Sequence, residues 1–232
     1  MVTHDVRVTA LKGLVLEAAR MNEAPHPLAL ELARMLDQPV ATPHQVLVVG
    51  AGSGRNLPPF LRSGIAVDAL EPDTERAAAL RTRYAAQAAV RVAEADYQHP
   101  AALAASYSAA LSTNAYLHGR RVEVAGALSA LANMLASPGF IAITLGSTRD
   151  PRYGAGWEWE PGVWAPTSGN EYGVPHLFLD EDGVLALLAP SFEIITLREV
   201  FAGDLVGRWV HPALVAEDTV HWFVIAHQKK LL

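Results

Sequence analysis

Gly50-Ala51-Gly52-Ser53-Gly54 stands directly after the aliphatic run Val46-Leu47-Val48-Val49. Glycines at such a point let backbone approach a ligand closely, and N–H groups exposed where a helix opens favour a carboxylate or phosphate. The spacing is Gly-x-Gly-x-Gly, and Arg55 occupies the place where a dinucleotide-binding fingerprint has its third glycine. Glu71 closes the next aliphatic run, nineteen residues after Gly52, where a carboxylate can accept both hydroxyls of a ribose. Asp96 and Tyr97 close the third run, and Asn114-Ala115-Tyr116-Leu117-His118 follows the fourth. Histidine titrates near neutrality, so His118 and His176 are the candidate bases. Arg149 and Arg152 follow the fifth run, where they can hold an anion.

These residues need a scaffold that brings the ends of several strands together. From residue 45 onward short β-rich runs alternate with Ala-rich helical stretches, the order of a wound α/β sheet. Strands are expected at Val46–Val49, Ile65–Leu70, Val90–Ala93, Tyr107–Ser112, Phe140–Leu145, Phe192–Val200 and Val220–Ala226. Helices are expected at 55–62, from Asp73 or Thr74 to about Ala88, at Arg121–Leu135 up to a stop at Pro138-Gly139, and at Asp180–Ala189. The last two strands lack a clear helix between them. The expected fold is therefore a seven-stranded, mostly parallel sheet that ends in an antiparallel hairpin, with helices on both faces. Residues 1–40 read as two preceding helices, one carrying Leu11, Leu14, Val15 and Ala18 and the other Pro27 to Leu36, that cover the active site ahead of a domain at 41–232. Open sheets of this kind place their chemistry beyond the strand C-termini, which makes residues 112–118 the pocket floor.

The segment 148–178 has no sustained period. It holds Tyr153, Trp157, Trp159, Trp164, Tyr172 and Phe178, six of the seventeen aromatic residues of the chain. A long loop of this kind in a compact domain is a lid more often than a linker, and clustered tryptophans argue against disorder. Tyr153, Trp157, Trp159, Trp164 and Tyr172 are accordingly expected to meet the substrate, together with Tyr116, Arg149 and Arg152.

The glycine run with its Arg55-Asn56-Leu57 continuation, Glu71-Pro72-Asp73, and the stretch from Gly173 to Phe192 resemble class I S-adenosylmethionine-dependent methyltransferases. Within that superfamily they are similar to the tellurite-resistance-type, small-molecule branch. The likeness runs over about residues 40–228. It implies a Rossmann-like fold, S-adenosylmethionine as cofactor and S-adenosylhomocysteine as product. It also implies that Gly50, Gly52 and Gly54 cradle the methionine part, that Glu71 takes the ribose, and that Asp96 takes the adenine amino group with Tyr97 against the ring. Asn114 joins these cofactor contacts, and His176 matches a histidine of the branch. Where many members carry an acid two residues before the first glycine, this chain has Val48.

Composition narrows the chemistry further. No cysteine is present, which excludes disulfides, thiolate zinc sites, Cys-bound iron–sulfur clusters, a cysteine nucleophile and thiolate-dependent arsenic methylation; no metal is assigned. The net charge of −6, and the absence of both prolines of an Asn-Pro-Pro-aromatic run at Asn114, favour a small-molecule acceptor over nucleic acid. No apolar stretch reaches the ~20 residues of a membrane helix, and no secretory leader is visible, so a cytoplasmic protein, monomeric or homodimeric, is expected. The leading expectation is methyl transfer to O, N or S of a small molecule by in-line displacement under a lid. The alternatives are a nicotinamide- or flavin-dependent oxidoreductase and a non-catalytic scaffold that binds S-adenosylmethionine.

Overall fold

The computed structural model describes residues 24–37, 44–98, 106–201 and 219–229. The first of the two expected N-terminal helices, and Arg208 and His211 between the last two strands, lie outside these residues. Helices α1 (Pro27–Leu36), α2 (Pro58–Arg62), α3 (Thr74–Arg83), α4 (Arg121–Met134) and α5 (Glu181–Leu188) accompany ten strands. The strands are β1 (Gln45–Val49), β2 (Ala66–Leu70), β3 (Val90–Ala93), β4 (Tyr107–Ser112), β5 (Leu135–Ser147), β6 (Trp157–Glu160), β7 (Val163–Ala165), β8 (His176–Leu179), β9 (Phe192–Phe201) and β10 (Val220–Gln228).

Strands β3, β2, β1, β4 and β5 pair in parallel in that order, and β10 joins β5 antiparallel and carries β9 on its far side. These seven are the expected strands, hairpin included. Side chains alternate between two cores, as the strand period requires. On one face Leu47, Val49, Ile141, Ile143 and Val224 pack against Val124, Leu128 and Leu131 of α4 and Val184 and Leu188 of α5. On the other, Val46, Val48, Val67, Leu111 and Ile225 meet Leu28 and Leu32 of α1, Phe60 of α2 and Leu80 of α3. Helix α1 thus lies on a sheet face, and only its N-terminal end reaches the strand C-termini. There His26 caps the helix, its Nδ1 accepting the Leu28 N–H at 3.1 Å, while its own N–H donates to Asn56 Oδ1 at 2.9 Å.

Three expectations are corrected. The segment 148–178 is not a loop throughout: it folds into the β6–β7 hairpin and leads into β8, which makes ten strands among the described residues where seven were expected. Two-residue alternation is too brief in Trp157–Glu160 and Val163–Ala165 to register as a strand signal. Strand β8 pairs in parallel with the end of β5 (Gly146 with Phe178, Ser147 with Leu179) and antiparallel with β7, so the segment extends the sheet beyond the end of β4. Helix α3 ends at Arg83, where the Tyr84 N–H returns to the Leu80 carbonyl, short of Ala88. Helix α4 ends at Met134, so Pro138-Gly139 lies inside β5 and does not stop the helix.

Buried Asp68 in β2 ties the opposite end of the sheet together. It accepts from Arg91 through both carboxylate oxygens, from the Tyr107 hydroxyl at 2.6 Å and from Gln45 Nε2 at 3.0 Å.

Candidate active site

The C-terminal ends of β3, β2, β1 and β4 stand side by side, which puts Asp96, Glu71, the glycine turn and Asn114 in one row. Gly50 and Gly52 have φ of +70° and +55°, a left-handed backbone that only glycine adopts at little cost. A Cβ on Gly52 would meet no atom within 4 Å, so the turn faces open space there. Gly54 differs: a Cβ would lie 2.5 Å from Leu80 Cδ1 and 2.8 Å from Tyr84 Cε2. Its glycine is demanded by the close approach of Leu80 and Tyr84.

Glu71 is buried and held by two main-chain donors, Gly52 N–H to Oε2 at 2.7 Å and Asp73 N–H to Oε1 at 3.1 Å. Each carboxylate oxygen keeps a second lone pair for a diol. Asp96 Oδ1 accepts the Gln98 N–H at 2.8 Å. Asn114 has φ +67°; its N–H donates to Thr144 Oγ1 at 2.7 Å, and that hydroxyl returns to Asn114 Oδ1 at 3.2 Å. Asn56 reaches the same strand end, its Nδ2 donating to Thr113 Oγ1 at 3.0 Å.

Beyond β4 the chain meets the start of β8. His118 and His176 form an antiparallel bridge, framed by Gly119 N–H to Pro175 O at 2.7 Å and Leu177 N–H to Leu117 O at 2.8 Å. Directly opposed residues present side chains to the same side, and the two imidazoles stand edge to face, 4.7 Å between centroids. Glu171 closes the group, with His118 Nε2 at 3.5 Å from Oε1 and His176 Nε2 at 3.1 Å from Oε2. The two histidines hold the Glu171 carboxyl well below the usual carboxylate range. The Tyr97 hydroxyl donates to the His118 carbonyl at 2.7 Å and its ring meets Tyr116 edge-on, so Tyr97 props the histidine segment.

Arg152 is committed to buried Asp150, with Nε to Oδ1 at 2.7 Å and Nη2 to Oδ2 at 2.9 Å, and Nη2 also lies 3.1 Å from His221 Nε2. Burial foremost, and then the Arg152 charge, push the His221 pKa down to about 4. Burial likewise drives His26 well below its ordinary value, with Arg55 and His221 adding to it.

Two expected substrate contacts are corrected. Tyr116 is fully buried in the core, where burial raises its pKa. Arg149 turns to the outer side of β10, pairing with Glu199 at 2.8 Å over the ring of Phe201. Tyr153, Trp157, Trp159 and Tyr172 are exposed on the β6–β7 extension, and half-buried Trp164 packs beside Tyr153. Sequence reasoning missed Glu171, Asp150, His221, Asn56 and Thr144. Glu171 stands five positions before His176 and fifty-three after His118, which matches no local motif.

Residues 46–139 match the family described as "Methyltransferase domain". No match is found among curated proteins. Among solved structures, the fold is similar to 1,6-didemethyltoxoflavin N1-methyltransferase from Burkholderia thailandensis, solved with 1,6-didemethyltoxoflavin and S-adenosylhomocysteine. That match has a TM-score of 0.60 at 16% identity, over 99% of this chain and 92% of that one. TehB from Haemophilus influenzae gives 0.57 at 17%, over 88% of this chain and 62% of that one. The glycopeptide N-methyltransferase MtfA, complexed with S-adenosylhomocysteine, gives 0.58 at 20%, over 87% and 88%. The Rossmann-like methyltransferase fold expected from the sequence is the one observed.

Proposed function

We infer that this chain, a class I methyltransferase by its domain match at residues 46–139 and its fold, transfers a methyl group from S-adenosylmethionine to O, N or S of a small molecule. The observation that carries the reading is the joint of Gly52 and Glu71. A left-handed glycine turn facing open space is locked to a buried carboxylate that keeps lone pairs for a diol. These features suit a nucleoside carrying an amino-acid tail. When bound, S-adenosylmethionine supplies an electrophilic methyl carbon and a neutral thioether leaving group.

The chain's own part is to hold, orient and shield. Gly50 and Gly52 hold the methionine part, Glu71 the ribose and Asp96 the adenine amino group, with Asn114 fixed by Thr144 at the floor. His118 and His176 assist loss of the acceptor's proton. Trp157, Trp159, Trp164, Tyr153 and Tyr172 form the apolar roof that excludes water, and Arg152 tends the acceptor side. Burial brings acceptor and methyl group into line, which is where most of the acceleration of a displacement arises. The net charge of −6 supports a small acceptor over nucleic acid, in a cytoplasmic enzyme that is monomeric or a homodimer.

A thermal-shift series tests this. At about 100 times its Kd a ligand adds about 2.7 kcal/mol, or roughly 5–11 °C for a chain of this size. S-adenosylmethionine and S-adenosylhomocysteine should each raise Tm by that much and NAD(H) should not. A shift with NAD(H) alone overturns the reading. Binding of the methyl donor without turnover on a broad panel of O, N and S nucleophiles would reinstate the scaffold.

A further inference from the structure

We propose that His118, Glu171 and His176 form a binding site for a divalent transition-metal ion at the acceptor side of the pocket. Their ligand atoms lie within 4.8 Å of one another, the condition for sharing one cation. Around a tetrahedral ion with ligands at about 2.05 Å, neighbouring ligand atoms are about 3.3 Å apart. Each histidine Nε2 stands close to that distance from one Glu171 oxygen, His118 at 3.5 Å from Oε1 and His176 at 3.1 Å from Oε2.

Tautomer chemistry points the same way. His176 Nδ1 lies 2.8 Å from the Val174 carbonyl oxygen, which only accepts, so Nδ1 carries the proton. In the neutral ring Nε2 then presents a lone pair to Glu171 Oε2 at 3.1 Å. Two acceptors face each other at that distance only with a positive charge between them, either a proton or a metal ion. A ligating histidine whose other nitrogen donates to a carbonyl is the usual outer arrangement of a metal site. The main-chain bridge that opposes His118 and His176 fixes both donors before any ion arrives, and His176 is buried. The Arg152 charge, which Glu171 also feels, is hydrogen-bonded through Nε and Nη2 to Asp150.

Two imidazoles and a carboxylate suit Zn(II), Co(II), Fe(II) or Ni(II) and leave coordination positions open. Ion binding stands apart from the methyl-transfer reading; the ion's use rests on it. An ion here takes an acceptor carrying two adjacent O or N donors, draws the donor proton off to solvent by lowering its pKa, and leaves the resulting anion to take the methyl group. The histidines then act through the ion and not as free bases.

The test uses the untagged full chain, stripped by chelator and titrated with Co(II) and Zn(II) by calorimetry and, for Co(II), by visible d–d absorption. One equivalent is expected to bind saturably, to raise Tm, and to lose at least tenfold in affinity in His118→Ala, Glu171→Gln and His176→Ala, with His227→Ala unchanged. If His176→Ala fails to fold, the half-exposed His118 and exposed Glu171 carry the comparison. No saturable binding, or binding unaltered in Glu171→Gln and His118→Ala, overturns the proposal and leaves a protonated His176–Glu171 ion pair. S-adenosylhomocysteine affinity of the stripped chain is measured alongside, so failure of the ion site and failure of the methyltransferase reading are seen separately.

Discussion

Glu71 accepts the N–H of Gly52 at 2.7 Å, so the acid that ends β2 and the turn that ends β1 are one rigid unit. Glu71→Gln keeps the size but turns a donor toward one of two backbone N–H groups. The expected result is at least a tenfold loss of S-adenosylhomocysteine affinity by calorimetry and a loss of about 1–2 kcal/mol in urea unfolding.

The glycines of the turn separate by function. Gly52→Ala places a Cβ in open space at a left-handed φ, which costs about 1–2 kcal/mol of strain. It should fold and bind S-adenosylhomocysteine at least tenfold more weakly. Gly54→Ala drives a Cβ into Leu80 and Tyr84 and should lose about 2–4 kcal/mol of stability. Equal unfolding losses in the two variants would contradict this division.

Acid should destabilise the fold through its buried histidines. His221, with pKa about 4, and His26, well below its ordinary value, are neutral when folded, whereas both protonate near pH 6.5 when unfolded. Their contribution is complete above pH 6.5 and is lost as pH falls toward 4, by roughly 3 kcal/mol for His221. Urea midpoints at pH 7.5 and 5.0 should differ, and less so in His221→Gln. A midpoint independent of pH over that window would count against the neutral, buried state.

At the other end of the sheet, Asp68→Asn removes the charge that Arg91, Tyr107 and Gln45 all address. A loss of about 2–4 kcal/mol is expected with S-adenosylhomocysteine affinity retained. Tyr107→Phe should lose about 1 kcal/mol.

Trp157 and Trp159 are 48% and 55% exposed. Their replacement by Ala should change stability by less than about 1 kcal/mol while raising KM for the acceptor severalfold. A large stability loss with KM unchanged would make them structural.

The sheet was legible because β1 is a continuous aliphatic run stopped by glycine and the following short β-rich runs alternate with Ala-rich helical stretches, and the row of Glu71, Asp96 and Asn114 followed from counting strand ends. The insertion was not legible. Strands β6, β7 and β8 have three or four residues each, and what makes them strands is pairing, β6 with β7, β7 with β8 and β8 with β5 at Gly146 and Ser147, which no local period records. Glu171 was hidden for the same reason, since its partners are assembled by a main-chain bridge between residues 118 and 176. The position of Tyr116 after β4 suggested the pocket floor, whereas its ring is buried in the core.

The annealing of β8 to the end of β5 bears on how the β6–β8 extension can be altered. Residues 146–147 and 178–179 are a fixed seam, whereas the hairpin turn at 161–162 and the segment 166–173 lie off it. The residues between the two halves of that seam can therefore be exchanged as a cassette with the register of the parent sheet left intact.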